Sequence, residues 1–217
     1  MKQTISLDDF ITKVQTYQKS DYALNPQYEE ALKRRDIWDR LEEIRDLETK
    51  EVVLEFLNQW KCRLSSLCVP YLTKALRESA ERLHQFDKCH LEETDLDPSK
   101  VEAMEDVFRI ISSVKAGKRT VGATATSKIL HLVNPDFFVM NDRNIRSGYG
   151  CSNNEVGYSN FMRQMKQLAN DVLHEYSIKR NIPMDSALQS LVHECRSYSR
   201  TIPKLLDEYN WVRFNRP

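Results

Sequence analysis

Lys118, Arg119 and Lys128 flank a stretch of very small residues, Thr120 to Thr126, that contains Gly122. Such a stretch at the start of a helix leaves backbone N–H groups and the positive end of the helix dipole open to an anion, and its small side chains let a phosphate come close. The added charge makes a sequence-independent grip on a nucleic-acid backbone. Small residues at a helix turn also allow two helices to pack closely, and both readings stand. A conspicuous acid, Asp142, follows in Asn141-Asp142-Arg143-Asn144-Ile145-Arg146.

The surroundings of this stretch are unusual in two respects. All five glycines of the 217-residue chain fall between Gly117 and Gly157, so the backbone geometry that needs glycine is concentrated there. No Asp or Glu occurs between Asp106 and Asp136, whereas Arg109, Lys115, Lys118, Arg119 and Lys128 are basic and Arg143 and Arg146 follow. Acids gather earlier, in Asp87, Glu92, Glu93, Asp95, Asp97, Glu102, Glu105 and Asp106. The 32 basic residues balance 32 acidic ones, so a basic face on a neutral chain marks a candidate polyanion site; a solvated charge cluster is the alternative.

The elements that must position these residues are helices. Ser6 starts a helix with Phe10, Ile11, Val14 and Tyr17 on one face. Asn25-Pro26 starts a long amphipathic helix carrying Leu32, Ile37, Leu41, Ile44 and Leu47. Thr49 caps a helix with Val52, Val53, Phe56, Leu57 and Trp60. Another runs from about Val69 to His90, burying Tyr71, Leu72, Leu76, Leu83 and Phe86. Asp97-Pro98 opens an apolar helix, and helices near Asn154 to Asn181, Met184 to Ser199 and after Ile202-Pro203 complete the chain. Strand signals are almost absent. The expectation is an all-α protein, residues 1–217 forming one helical unit open to division into two lobes near Glu92 to Asp97. Residues 98–148 are its helix-turn-helix and acid segment.

Composition narrows the class. The chain is 41% hydrophobic, enough for a real core, and no apolar run approaches the roughly 20 residues that span a bilayer. The first residues lack the apolar stretch of a signal peptide, so the expected compartment is cytoplasmic. Cys62, Cys68, Cys89, Cys151 and Cys195 are odd in number and contain no Cys-x-x-Cys pair, and the five histidines are scattered. Reduced thiols, no metal and no membrane partner are expected.

The succession of glycine, small residues, Leu130-His131-Leu132, Asn134-Pro135-Asp136-Phe137-Phe138 and then Asp142 with Ile145 and Arg146 resembles the core of the helix-hairpin-helix DNA glycosylase superfamily. In that family a Leu-Pro-Gly-hydrophobic-Gly hairpin precedes a helix and a catalytic aspartate; Val121-Gly122 stands at the end of the hairpin. The resemblance implies a two-lobed helical glycosylase fold, duplex DNA carrying a damaged or modified base as partner, and Asp142 as the carboxylate that stabilises the oxocarbenium-like sugar and orients water. Asn141 would hold the water or read the base, and an exposed loop residue is the alternative reading. DNA contacts would come from Lys118, Arg119, Val121, Gly122, Thr124, Ser127, Lys128, Arg143 and Arg146. The extruded base would be stacked by Tyr149, Tyr158 and Trp60, although Trp60 at helical spacing also fits a core, and Asp142 also fits a plain helix N-cap.

The departures from the family are informative. Thr120 replaces the first hairpin glycine, and no proline precedes it. Ala123 and Thr124 occupy the position of the Schiff-base lysine, with Lys128 about one turn further on, and the C-terminal third has only Cys151 and Cys195 where one branch carries four cluster cysteines. The expectation is therefore a monofunctional glycosylase, with neither lyase chemistry nor an iron–sulfur cofactor. A DNA-binding helix-hairpin-helix protein without catalysis and a helical protein-interaction or regulatory domain are the alternatives.

Overall fold

A computed structural model describes residues 5–20, 23, 25–196 and 201–215, and they are predominantly helical. α1 (Leu7–Gln18) starts where Ser6 accepts a hydrogen bond from the Asp9 N–H, and it buries Leu7, Phe10, Ile11, Val14 and Tyr17. α2 spans Asn25–Lys33. The single long helix expected from Asn25 is broken, because Arg35–Glu43 winds as tighter 3-10 turns and Arg40 leaves helical geometry at φ −137°, ψ 46°. This change of period keeps Ile37, Leu41 and Ile44 in the core but leaves Leu47 exposed.

The next helical run is continuous through three geometries: α3 (Asp46–Glu48), a wider π-type segment (Thr49–Leu54) and α4 (Glu55–Gln59). Thr49 is not its cap. It is buried inside the run, where its hydroxyl accepts from Thr73 at 2.9 Å, and the lead-in is made by Arg45, whose N–H donates to Glu48. α5 (Val69–His84) ends before the expected His90, and its Tyr71 faces solvent rather than the core. α6 (Pro98–Ser112) is capped by Asp97, which accepts the Lys100 N–H at 2.9 Å.

Between α6 and α7 (Gly122–Val133) the chain forms a small antiparallel ribbon where a bare turn was expected. β1 (Lys115–Ala116) pairs with β2 (Arg119–Thr120) in the register Lys115↔Thr120 and Ala116↔Arg119. Gly117 and Gly122 both lie at φ 72°, which L side chains rarely adopt. α8 (Arg143–Gly148), α9 (Glu155–Arg180), α10 (Met184–Glu194) and α11 (Ile202–Phe214) follow. Asn154 and Asn181 bound α9 as expected, while α10 stops short of Ser199, which lies outside the described residues.

α6 packs against α5, α7 and α9, and α1 lies along α11, so the first and last described helices are neighbours. One apolar cluster runs through nearly all elements. No described helix is long and apolar enough to cross a membrane.

His131 of α7 is wholly buried in this core. Its Nδ1–H donates to the Phe138 carbonyl at 2.6 Å, which leaves Nε2 to accept from the Tyr28 hydroxyl at 2.7 Å. Burial pulls its pKa down to about 4. A group depressed on folding contributes stability above its unfolded pKa and loses it as pH falls through the folded value. Between about pH 6.5 and pH 4 the fold should therefore lose on the order of 3 kcal/mol through His131. Urea unfolding of native protein and His131→Gln across that range should give a shallower pH slope in the variant, and identical slopes would remove His131 from the acid response.

Candidate functional site

Five residues singled out in the sequence line one cavity. Trp60, Thr124, Lys128, Asn141 and Asp142 surround a space of about 270 Å³, together with Tyr17, Lys61, Met140, Ile145, Asp207 and Trp211. α7 presents Thr124 and Lys128 one turn apart on the same face. The extended segment Met140–Asp142 adds three lining residues, and the end of α4 brings Trp60. α11 adds Asp207 and Trp211 to the lining.

Asp142 is the N-cap of α8, its Oδ1 accepting the Ile145 N–H at 2.8 Å. Its Oδ2 accepts from the Asn215 amide at 2.7 Å, and the Asn215 oxygen in turn accepts from Asn144 at 2.6 Å. The carboxylate is thus fixed from two directions. Gly148 lies against the Phe214 ring that precedes Asn215, and a Cβ there would collide with it.

Beside it, Asn141 is 1% exposed. Arg146 donates to its side-chain Oδ1 at 2.9 Å and to Thr124 Oγ1 at 3.1 Å, and it also approaches the Asn141 carbonyl at 3.4 Å. The Ser127 hydroxyl accepts the Asn141 N–H at 3.1 Å and lies 3.0 Å from the Asn141 carbonyl. Burial draws the Arg146 pKa down, with the neighbouring Asp142 working the other way.

Lys128 points back across the cavity wall. Its ammonium donates to the Trp60 carbonyl at 3.0 Å, lies 5.0 Å from the centre of that indole and approaches the Cys62 sulfur at 3.8 Å. Burial raises the Cys62 thiol pKa, with Lys128 working the other way. The loop holding Trp60 is itself constrained: Lys61 and Arg63 have φ of 61° and 54°, and the Asn58 side chain clamps Leu64 through its N–H at 2.7 Å and its carbonyl at 3.0 Å. Left-handed geometry at two non-glycine residues costs energy that the surrounding bonds must offset.

A buried charge lies against three of the lining residues, Tyr17, Trp60 and Asp207. Lys204 is 1% exposed, pairs with Asp207 at 3.0 Å and Glu208 at 3.3 Å, and sits 4.8, 5.4 and 5.5 Å from the ring centres of Tyr17, Trp60 and Tyr28. Burial works against its charge, and the neighbouring Tyr17, Asp207 and Glu208 outweigh that and hold its pKa well above the ordinary value. Burial likewise raises Glu208, which accepts from Gln18 at 2.7 Å.

Several expected site residues lie elsewhere. Tyr158 is fully buried, stacked 4.6 Å from Phe108, with its hydroxyl donating to the Val139 carbonyl, so it is a core residue and not a cavity wall. Tyr149 packs between Phe161 and Phe214 and donates to Asn210 at 2.6 Å, also away from the cavity. Ser127, Val121 and Arg146, expected on a DNA backbone, are buried; the Val121 N–H is taken by the Val114 carbonyl, and the polar groups of Ser127 and Arg146 serve the Asn141 segment. Lys118 and Arg119 are exposed on the ribbon, and Arg143 is exposed at the first turn of α8. Sequence reasoning missed Tyr17, Lys61, Asp207, Trp211 and Asn215. The signal available for α11 was its spacing, Lys204, Asp207, Trp211 and Asn215 recurring every three or four residues on one face.

No three or more His, Cys, Asp or Glu side chains come together to hold a metal among the described residues. Comparison with family models, curated proteins and solved structures gives no match.

Removing one partner of a buried charge cluster leaves the others uncompensated. Lys204→Met should destabilise the protein by about 3–5 kcal/mol in urea unfolding, and Lys204→Met combined with Glu208→Gln should recover a large part of it. Equal losses in the single and double variants would mean that the ion pair is not what the cluster depends on.

Proposed function

We propose that the cavity receives a base turned out of duplex DNA and that Asp142 supports hydrolysis of its N-glycosidic bond, making this protein a monofunctional DNA glycosylase. The observation that carries the reading is the fixed Asp142 carboxylate at the edge of a small cavity walled by Tyr17, Trp60 and Trp211. Aromatic faces suit a planar heterocycle, and a flipped base needs both stacking and edge hydrogen bonds. A volume of about 270 Å³ suits one heterocycle rather than a polymer. The reading carries with it a two-lobed glycosylase fold and duplex DNA as the partner. Exposed Lys118, Arg119 and Arg143 are available to its phosphates.

As the bond from C1′ to the base nitrogen breaks, its electron pair leaves with the base and positive charge grows on the sugar. A nearby carboxylate lowers that barrier, and a water oxygen then bonds to C1′, its proton passing to the carboxylate or the departing base. The hydrogen bonds to Ile145 and Asn215 use only part of the lone-pair capacity of Asp142, so it can still accept from water. Lys128 lies in the same cavity, but its ammonium is engaged by the Trp60 carbonyl and ring. Imine chemistry requires a free neutral amine, so hydrolysis is the better account.

A screen of duplexes carrying different modified bases, with alkali to reveal abasic sites, tests the reading. Asp142→Asn should lose excision by roughly 100-fold or more while DNA binding persists, because size is kept and charge is not. Undiminished excision by that variant would remove Asp142 from the mechanism. Borohydride should trap no protein–DNA adduct; an adduct lost in Lys128→Gln would place the chemistry in the lyase class. A protein that binds no duplex at low salt would favour the protein-interaction alternative.

Replacing Lys118 and Arg119 with alanine should weaken binding to all duplexes alike and reduce its salt dependence, since phosphate contacts carry no sequence information. Unchanged affinity at low salt would mean that the ribbon faces away from the DNA.

A further inference from the structure

A thiol and an amine from distant parts of the chain meet beside the cavity. Among the described residues Cys62 is the one cysteine with a lysine amine at hydrogen-bonding distance, Lys128 Nζ lying 3.8 Å from its Sγ across 66 positions of sequence. The two groups also share an anchor. The Lys128 ammonium donates to the Trp60 carbonyl at 3.0 Å, and the Cys62 thiol approaches the same oxygen at 3.9 Å. Cys62 is held from behind, its N–H donating to the Leu57 carbonyl at 2.9 Å, with Lys61 and Arg63 on either side in left-handed geometry at φ 61° and 54°.

Sulfur is a weak acceptor, so it adds little to the hold on an ammonium that already has the Trp60 carbonyl and ring. Its reactivity is a different matter. Oxidation of a thiol to sulfenic acid makes the sulfur an electrophile, open to condensation with a neighbouring nitrogen or thiol. An amine already in contact has a large advantage over any nucleophile that must arrive by diffusion.

We propose that Cys62 and Lys128 are a redox-sensitive pair: a hydroperoxide oxidises Cys62, and the Lys128 amine then condenses with it to a reversible sulfur–nitrogen cross-link that ties the Trp60 loop to α7. In the first step, with hydrogen peroxide, the thiolate sulfur attacks one peroxide oxygen and the O–O bond breaks. Sulfur is oxidised to sulfenic acid, the peroxide is reduced, and the other oxygen leaves as water. In the second step the lone pair of the neutral amine attacks the sulfur, the S–O bond breaks, and the departing hydroxide takes a proton from nitrogen to leave as water. No further oxidant is consumed. An external thiol in excess reverses the bond, restoring cysteine and amine and leaving as its own disulfide.

The gap closes by a movement of about 2 Å, well within the range of lysine's flexible four-carbon stem. Cys62 is half-buried, so a small peroxide can reach it. The other half-buried thiols are internal controls: Cys89 lies against the Gln85 carbonyl and Cys151 against the Gln164 amide, neither of them an amine nucleophile. Lys128 and Trp60 both line the cavity. The cross-link removes a positive charge from that lining and fixes the Trp60 loop, so the oxidation state of Cys62 acts on the cavity whatever the cavity holds.

Burial raises the Cys62 thiol and the second step needs a neutral amine, so the full chain is exposed to hydrogen peroxide in mildly alkaline buffer, about pH 9, and digested without reductant. Mass spectrometry should find the Cys62 and Lys128 peptides joined, at the sum of their masses less a pair of hydrogens, and dithiothreitol should separate them. Cys62→Ser should abolish the cross-link. Lys128→Arg keeps a donor for the Trp60 carbonyl but has no amine to consume the sulfenic acid. Dimedone labelling of Cys62 should therefore rise several-fold in that variant, with labelling of Cys89 and Cys151 unchanged. Native protein in which Cys62 stays reduced, stops at the sulfenic acid or its higher oxides, or enters a disulfide overturns the inference, as does equal dimedone labelling of Cys62 in native protein and Lys128→Arg. Neither DNA nor excision enters the readout, so the result stands apart from the glycosylase reading.

Discussion

A buried ammonium group needs partners on every side, and Lys204 obtains them from four parts of the chain. Asp207 and Glu208 come from its own helix, Tyr17 from α1, Tyr28 from α2 and Trp60 from the end of α4. An uncompensated charge in that position would cost several kcal/mol. The requirement therefore fixes how the N-terminal helices meet α11. Tyr17, Trp60 and Asp207 turn another part of their surface to the cavity, so the cluster that secures the helix packing also sets the cavity's walls.

α11 is where stability and site are hardest to separate. Along one face it places Lys204 in the core, Asp207 and Trp211 at the cavity and, just beyond its end, Asn215 on the Asp142 carboxylate. The Phe214 ring lies so close to α8 that a Cβ at position 148 would collide with it. Displacing α11 would disturb the charge cluster, a cavity wall and the carboxylate together. Additivity between substitutions on this face is not to be expected, because they share partners.

The helix starts were legible because they depend on neighbours in sequence. Ser6, Asp97 and Asn154 each accept the N–H three residues on, a local arrangement that composition announces. The break after α2 was not, since Arg40 departs from helical geometry within a segment whose apolar spacing alone reads as continuous helix. The site divides the same way. Asn141, Asp142, Thr124 and Lys128 lie within one short stretch and could be read together. Asp207, Trp211 and Asn215 are far along the chain, and polar residues at helical spacing look like a solvated face until the packing of α1 against α11 is known. Tyr158 and Ser127 were misjudged because a ring packed in the core, or a hydroxyl satisfied there, cannot be told from an available one by residue type.

How the Asp142 carboxylate is held bears on which role it can play. One oxygen is bound to the first turn of α8 and the other to Asn215. Hydrogen bonds to both oxygens draw charge density away from each and restrict rotation, which handicaps a carboxylate as an attacking nucleophile. They do not remove its negative charge from beside the cavity. In the proposed reaction a charge held fixed at the cavity needs no reorganisation as positive charge develops, and that is the condition under which electrostatic stabilisation is most effective. If the cavity holds a nucleoside, the clamp argues for stabilisation of the cationic sugar with water as the nucleophile. Loosening it by removing the Asn215 amide would then slow turnover through lost preorganisation while the carboxylate itself remained in place.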